Sequence, residues 1–303
     1  MMQDVKKYVF VGNREYVLKE MIRMGLNIVG VYVMENCFLH RRLQEEKFID
    51  FVAISKKKQL LEILAITDFD ILVSNGCKYI LPINDMKEAT YINVHPSYLP
   101  DLKGMDSING ACLFNRTSGA VCHVIDAGVD TGEIIARVGI PMTDDVDTAM
   151  LFQLCFKAEV MAFKEGYDLG FVPMESQPVV EDAKYNSITE SEFIVDFNSD
   201  IDYILRQIRA FGYESKGLFF KVNGKTYKFF AASEVSNPFV LDLAKDKKNL
   251  EVVLSYEKAI VFKFGSRLLK FYEIDKRNGN IPEGAVLESC TVEDMHNFIS
   301  SVL

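Results

Sequence analysis

The basic surplus that a broad nucleic-acid-binding face requires is missing: 34 Lys and Arg stand against 43 Asp and Glu, a formal net charge of −9. General phosphate neutralisation is disfavoured as a binding mode, although a local basic patch survives such a balance. No uninterrupted apolar run approaches the ~18 residues of a membrane span. The segment Met1-Met2-Gln3-Asp4-Val5-Lys6-Lys7 has no apolar stretch of the signal-peptide kind, so a cytoplasmic address and no membrane partner are expected. Cys37, Cys77, Cys112, Cys122, Cys155 and Cys290 form no Cys-x-x-Cys pair and sit in or beside apolar stretches. Reduced buried thiols are expected, with no metal site and no disulfide framework. Gly-x-Gly-x-x-Gly is absent, which disfavours a dinucleotide site. Neither an internal repeat nor a low-complexity tract is present.

What is present builds a folded chain. Apolar residues make up 49% of the 303 positions, too many for a disordered protein. Short β-rich runs occur at residues 8–12, 27–33, 51–54, 71–73, 91–94, 120–125 and 134–138. Helical spacing separates several of them, as at Tyr16, Leu18, Met21 and Ile22 and at Leu60, Leu61, Ile63 and Leu64. Runs apolar on both faces and joined by helices predict a largely parallel sheet covered on both sides. Residues 148–164 are apolar nearly all round and predict a buried helix on that sheet.

From about 171 to 195 the pattern lapses around Pro173 and Pro178, as in a linker. Ile201, Ile204, Leu205 and Ile208 then mark one amphipathic helix, and strands dominate the rest. Asn223-Gly224 between two aromatic-rich runs predicts a type I′ hairpin. Two domains are expected, 1–185 and 186–303, the second smaller, mostly antiparallel, barrel-like and close to neutral in charge.

The segment Tyr91-Ile92-Asn93-Val94-His95-Pro96-Ser97-Tyr98-Leu99-Pro100 carries chemistry. Asn93 and His95 are two apart on a strand, so both face one side. Pro96 ends the strand there, at the carboxyl edge where open α/β sheets bind ligands. Downstream, Asp126-Ala127-Gly128-Val129-Asp130-Thr131-Gly132 makes a tight loop that brings amides and a carboxylate together.

Taken together, the two motifs resemble the folate-dependent formyltransferases, over residues 8–165 and more weakly over 185–275. Ser74-Asn75-Gly76-Cys77-Lys78-Tyr79-Ile80-Leu81-Pro82 is most similar to the sugar-nucleotide N-formyltransferases. The resemblance implies a Rossmann-like formyltransferase fold with an OB-like C-terminal domain, and a catalytic trio of Asn93, His95 and Asp130. Asn93 and a protonated His95 would stabilise an oxyanion; Asp130 would orient His95 and relay the amine proton. Which of His95 and Asp130 is the formal base stays open. His123 reads as a structural histidine with a supporting role open.

By the same resemblance, the donor 10-formyltetrahydrofolate would meet Tyr79, Ile80, Leu81, Pro82, Asp126 and Val129. For the acceptor, Asn13 and Arg14 open the first helix, a place for an anion. Lys78 and Lys103 flank the strand end and would pair with a diphosphate, and Met105 and Asp106 would border the sugar. The expected acceptor is a nucleotide-linked (dTDP) dideoxy amino sugar for a lipopolysaccharide or O-antigen glycan, formylated by a homodimer. Methionyl-tRNA formyltransferase is the alternative, disfavoured by the acidic charge and by Met34–Arg42, which lacks Pro and Gly. A non-catalytic folate- or nucleotide-binding module is a third reading, opposed by the intact trio.

Overall fold

A computed structural model describes residues 5–185 and 187–301. Its described residues within Met1–Ile108, Thr117–Met142 and Leu151–Asn186 form one compact unit. Those within Asn109–Arg116, Thr143–Met150 and Ser187–Leu303 form a second. The first half of the chain runs β1 (Lys7–Gly12), α1 (Glu15–Arg23), β2 (Asn27–Met34), α2 (Phe38–Glu46), β3 (Val52–Ile54), α3 (Lys57–Ile66) and β4 (Ile71–Asn75). Next come β5 (Thr90–His95), α4 (Ser107–Phe114), β6 (Ser118–Val124), β7 (Ile134–Ile140) and α5 (Thr148–Asp168).

These seven strands make one sheet in the order β3-β2-β1-β4-β5-β6-β7. Neighbours from β3 to β5 pair parallel, and β6 is antiparallel to both β5 and β7. The sheet is therefore mostly parallel, as the apolar runs predict. Its strands read as continuous apolar stretches because both faces are covered. On β1, Tyr8 and Phe10 join a core with Val17, Leu18 and Met21 of α1 and Ala158 and Phe163 of α5. Val9 and Val11 point the other way, into a core with Leu60 and Leu64 of α3. Each such fully buried large side chain contributes roughly 1.5–3 kcal/mol.

The strand order reverses at β1. The chain builds outward to β3, then returns to place β4 on the other side of β1. The carboxyl ends of β1 and β4 meet at this switch point, with Gly12 opposite Asn75. A Cβ on Gly12 would lie 2.0 Å from the Asn75 carbonyl oxygen, so no other residue fits there.

Two expectations need correction. The α5 helix is not buried all round: Leu151, Cys155, Ala158 and Phe163 are buried, but Met150 and Met161 are exposed. Nor is the stretch after α5 a free linker, because Met174 and Glu175 exchange backbone hydrogen bonds with Ile134.

The second unit contains α6 (Ile201–Phe211), β8 (Leu218–Val222), β9 (Lys225–Phe229), β10 (Ala231–Glu234), α7 (Pro238–Leu243), β11 (Val252–Tyr256), β12 (Ala259–Phe264), β13 (Arg267–Tyr272), β14 (Leu287–Glu288) and α8 (Val292–Ser300). Its named strands pair antiparallel, in sheets ordered β10-β13-β12-β11 and β14-β8-β9, and Ile194 adds one parallel bridge to Phe219 of β8. Isolated bridges, Lys228 to Asp275 and Glu251 to Val286, extend the pairing beyond the named strands. The β8–β9 turn has Asn223 at φ 49° and Gly224 at φ 75°, the two left-handed residues of a type I′ hairpin. Phe220, Phe229, Phe262 and Phe271 interlock at the centre, with the Phe229 and Phe271 rings stacked 4.1 Å apart.

Candidate active site

Three segments of the first unit converge beyond the carboxyl ends of β4 and β5. Strand β5 delivers Asn93 and His95. Antiparallel pairing places His123 of β6 directly across from Asn93. The loop after β6 brings in Asp130, whose backbone is left-handed (φ 53°). Asp126 shapes that loop: its Oδ1 accepts from the Gly128 N–H at 3.0 Å and the Thr131 hydroxyl at 2.6 Å.

Asp130 is the hub. Its Oδ2 accepts from the Gly104 N–H at 3.0 Å and lies 3.6 Å from His95 Nε2. Its Oδ1 lies 3.4 Å from Asn93 Nδ2 and 3.6 Å from His123 Nε2. Nδ1 of His123 sits 2.8 Å from the Val124 carbonyl, which only an N–H satisfies. Its Nε2 lies 3.2 Å from Asn93 Nδ2. His123 thus belongs to the cluster, and its cross-strand register with Asn93 is what sequence reasoning lacked.

The expectation of a protonated His95 is corrected. Burial lowers its pKa from 6.5 to about 4, overcoming the upward pull of Asp130, while His123 and Arg14 push it down further. The imidazole is neutral at physiological pH. A backbone hydrogen bond to Leu102 holds it, and its Nε2 is buried without a hydrogen-bond partner. For Asp130, burial works against ionisation but is outweighed by the two imidazoles and the Gly104 amide, so its pKa falls below the usual carboxylate range. The site pairs a neutral imidazole with an ionised carboxylate.

A pocket of about 380 Å³ opens over this cluster. Asn93, His95 and Asp130 line it together. Of the expected donor-binding residues, Tyr79, Ile80, Leu81, Asp126 and Val129 line it and Pro82 does not. Among the expected acceptor-binding residues, Asn13, Arg14, Lys78 and Met105 line it, whereas Lys103 and Asp106 do not. Lys103 instead pairs through its backbone with Tyr185, which does line the pocket. No group of three or more metal-ligating side chains occurs among the described residues, and no helix there is long and apolar enough to cross a membrane.

Arg14 does not stand alone as an anion ligand. Its guanidinium is ion-paired to Glu159 of α5, whose side chain is fully buried. Burial pushes the Glu159 carboxyl up, against the pull of Arg14 and Asn75. Asn75 Nδ2 completes the network, donating to Glu159 Oε1 at 3.0 Å and to the Val94 carbonyl at 2.9 Å. Asn75 and Glu159 escaped sequence reasoning. The one available signal was the acid at Glu159, set directly between Ala158 and Val160 in α5.

With this geometry in view, residues 44–166 match the family model of the formyl transferases, and residues 187–287 match that of the formyl transferase C-terminal domain. Methionyl-tRNA formyltransferase of Novosphingobium aromaticivorans is 29% identical over 172 residues, which cover 56% of this chain and 57% of that protein. That of Thermotoga neapolitana is 27% identical over 319 residues, covering 93% and 98%. Among solved structures, the N-formyltransferase of Helicobacter canadensis, in complex with folinic acid and dTDP-3-aminofucose, superposes with a TM-score of 0.67 at 18% identity. The match covers 89% of this chain and all of that one. A 4-N formyltransferase of Francisella tularensis gives 0.62 at 20% identity, covering 77% and 98%. At these identities the likeness establishes the shared fold.

Proposed function

The chain belongs to the formyltransferase family, and from that premise we propose that it moves the formyl group of 10-formyltetrahydrofolate to the amine of a nucleotide-linked amino sugar. The observation that carries the reading is the neutral Nε2 of His95 beside the ionised Asp130, at the wall of a pocket that Asn93 shares. The pocket's size suits a small organic ligand, and Tyr79, Ile80, Leu81 and Val129 supply an apolar wall for a pterin.

The donor supplies an activated formyl carbon. His95 Nε2 accepts the proton that the attacking amine loses, and Asp130 stabilises the imidazolium so formed. Asn93 Nδ2 keeps its 3.2 Å bond to His123 and gives up the longer contact to Asp130 for the formyl oxygen, where negative charge develops. The nitrogen–formyl bond forms as the formyl–N10 bond of the donor breaks, and the proton held on His95 goes to the departing N10. Since the imidazole starts neutral, His95 is the base and Asp130 its partner.

The acidic charge and the exposed Lys78 at the pocket support a sugar nucleotide, with a dTDP-linked dideoxy amino sugar of a surface glycan as its form. A cytoplasmic homodimer belongs to the same reading. Near full-length similarity to the Thermotoga methionyl-tRNA formyltransferase favours charged initiator tRNA as the second reading. One experiment separates them: incubate the protein and 10-formyltetrahydrofolate with a panel of amino-sugar nucleotides and methionyl-tRNA, and score the mass gain of one formyl group. Turnover of methionyl-tRNA alone overturns the sugar reading, and binding without any turnover overturns both.

A further inference from the structure

Beyond α5 the chain turns back on the site and grips both loops that set its geometry. Ile134 N–H donates to the Glu175 carbonyl at 2.8 Å, and Met174 N–H to the Ile134 carbonyl at 2.9 Å. Two residues on, Gln177 Nε2 donates to the carbonyls of Asp130 at 2.9 Å and Gly132 at 2.8 Å. Only the amide nitrogen can face two carbonyl oxygens, so the side chain's orientation is fixed. At its far end the same segment holds the other loop. Lys184 N–H donates to Asp101 Oδ1 at 2.7 Å, and the Lys184 carbonyl accepts from Lys103 N–H at 3.0 Å. Lys103 precedes Gly104, the amide donor to Asp130.

Asp130 needs such support. A left-handed backbone is strained at a non-glycine residue and persists where hydrogen bonds hold it. Gln177 binds a carbonyl on that residue and another two positions later, bracketing the strained turn. We propose that Gln177 is a positioning residue for formyl transfer: its amide pins the left-handed Asp130 turn so that the carboxylate meets Gly104, Asn93 and His95 at once. Gln177 is not among the residues lining the pocket and acts through Asp130. The inference rests on the reading of Asn93, His95 and Asp130 as the transfer site.

Gln177→Ala removes both donors. Gln177→Glu keeps the shape but turns carboxylate oxygens toward two carbonyls. Ser176→Ala, which removes only a hydroxyl bonded to Glu133 on the exposed side of the same segment, is the control. A misplacement of about 1 Å costs on the order of 10²-fold in rate, so both Gln177 variants are expected to lose roughly 10–100-fold in kcat with little change in KM for the acceptor. Ser176→Ala should match wild type. A second readout needs no acceptor: the ¹⁵N imidazole resonances of His95 and His123 should shift in both Gln177 variants and not in the control. Wild-type kcat in either Gln177 variant, unshifted imidazoles, or an equal loss in Ser176→Ala overturns the proposal. If wild type formylates none of the sugar nucleotides, the acceptor reading falls while the imidazole spectra still decide this one. Should either variant fail to fold, Gln177→Asn, with the amide on a shorter stem, carries the same test.

Discussion

His95 Nε2 lies 3.6 Å from Asp130 Oδ2, beyond a good hydrogen bond, with each side chain only 11% exposed. The pair is an ionised acid beside an unprotonated base. A proton arriving on Nε2 finds its counter-charge already in place, which is what deprotonating an amine requires. His95→Ala should therefore lower kcat by roughly 10²–10⁴-fold, with binding of the folate largely kept. Asp130→Asn and Asn93→Ala should fall in the same range, and double variants should lose less than the sum because the groups act as a unit. Full turnover in a folded His95→Ala protein would falsify the assignment.

The pKa of His95 has a signed consequence for stability. The unfolded chain protonates this histidine near 6.5, the folded one near 4. Between those values the unfolded state binds more protons, so stability rises with pH from about 4 to 6.5 and is lost as pH falls through that window. Asp130, held low, contributes stability above the ordinary carboxylate pKa and loses it only at lower pH. Melting temperature should decline from pH 6.5 to 4 in wild type and decline less in His95→Gln, which has no imidazole to protonate. Equal slopes in the two proteins would remove the claim. The rate profile should agree, with the His95 limb of kcat/KM near pH 4 and not near 6.5.

The sheet was legible because its strands are buried on both faces and so read as uninterrupted apolar runs. Asn93 and His95 were legible because an i, i+2 pair before a proline states its own geometry. Burial, by contrast, is a property of the assembled site, so the neutrality of His95 could not be read from residue types. Asn75 and Glu159 are 84 residues apart and meet only when α5 packs on the sheet. Gln177 hid for a related reason: a stretch rich in proline and exposed polar residues reads as a linker until its hydrogen-bond partners are known.

The Glu159 network should be structural before it is chemical. Removing one partner of a buried ion pair strands the other, at a cost of roughly 3–5 kcal/mol. Arg14 keeps some solvent contact, its side chain being 22% exposed, so the lower end applies to Glu159→Ala, about 3 kcal/mol. The Arg14→Met, Glu159→Met double variant should be more stable than Glu159→Ala, because no charge is left unpaired. Urea unfolding of the three proteins checks this order, and a Glu159→Ala midpoint equal to wild type would rule out the buried pair.

The acceptor is where charge decides. A tRNA makes many phosphate contacts, and six or more would cost ~10³-fold or greater in affinity between about 50 and 200 mM salt. A sugar nucleotide offers two phosphates. Lys78 is exposed at the pocket, with its ammonium 5.2 Å from the Tyr79 ring centre, and is the residue we propose meets them. Arg14 is already neutralised by Glu159 and is the poorer candidate. The expected salt dependence is therefore mild. Lys78→Ala should raise KM for the sugar nucleotide more than it lowers kcat, because a remote phosphate is held about equally in the ground and transition states. Initial rates at several salt concentrations, for wild type and Lys78→Ala, supply both readouts. A steep salt slope with methionyl-tRNA as the preferred acceptor, or a Lys78→Ala enzyme indistinguishable from wild type, would take the diphosphate contact away from this lysine.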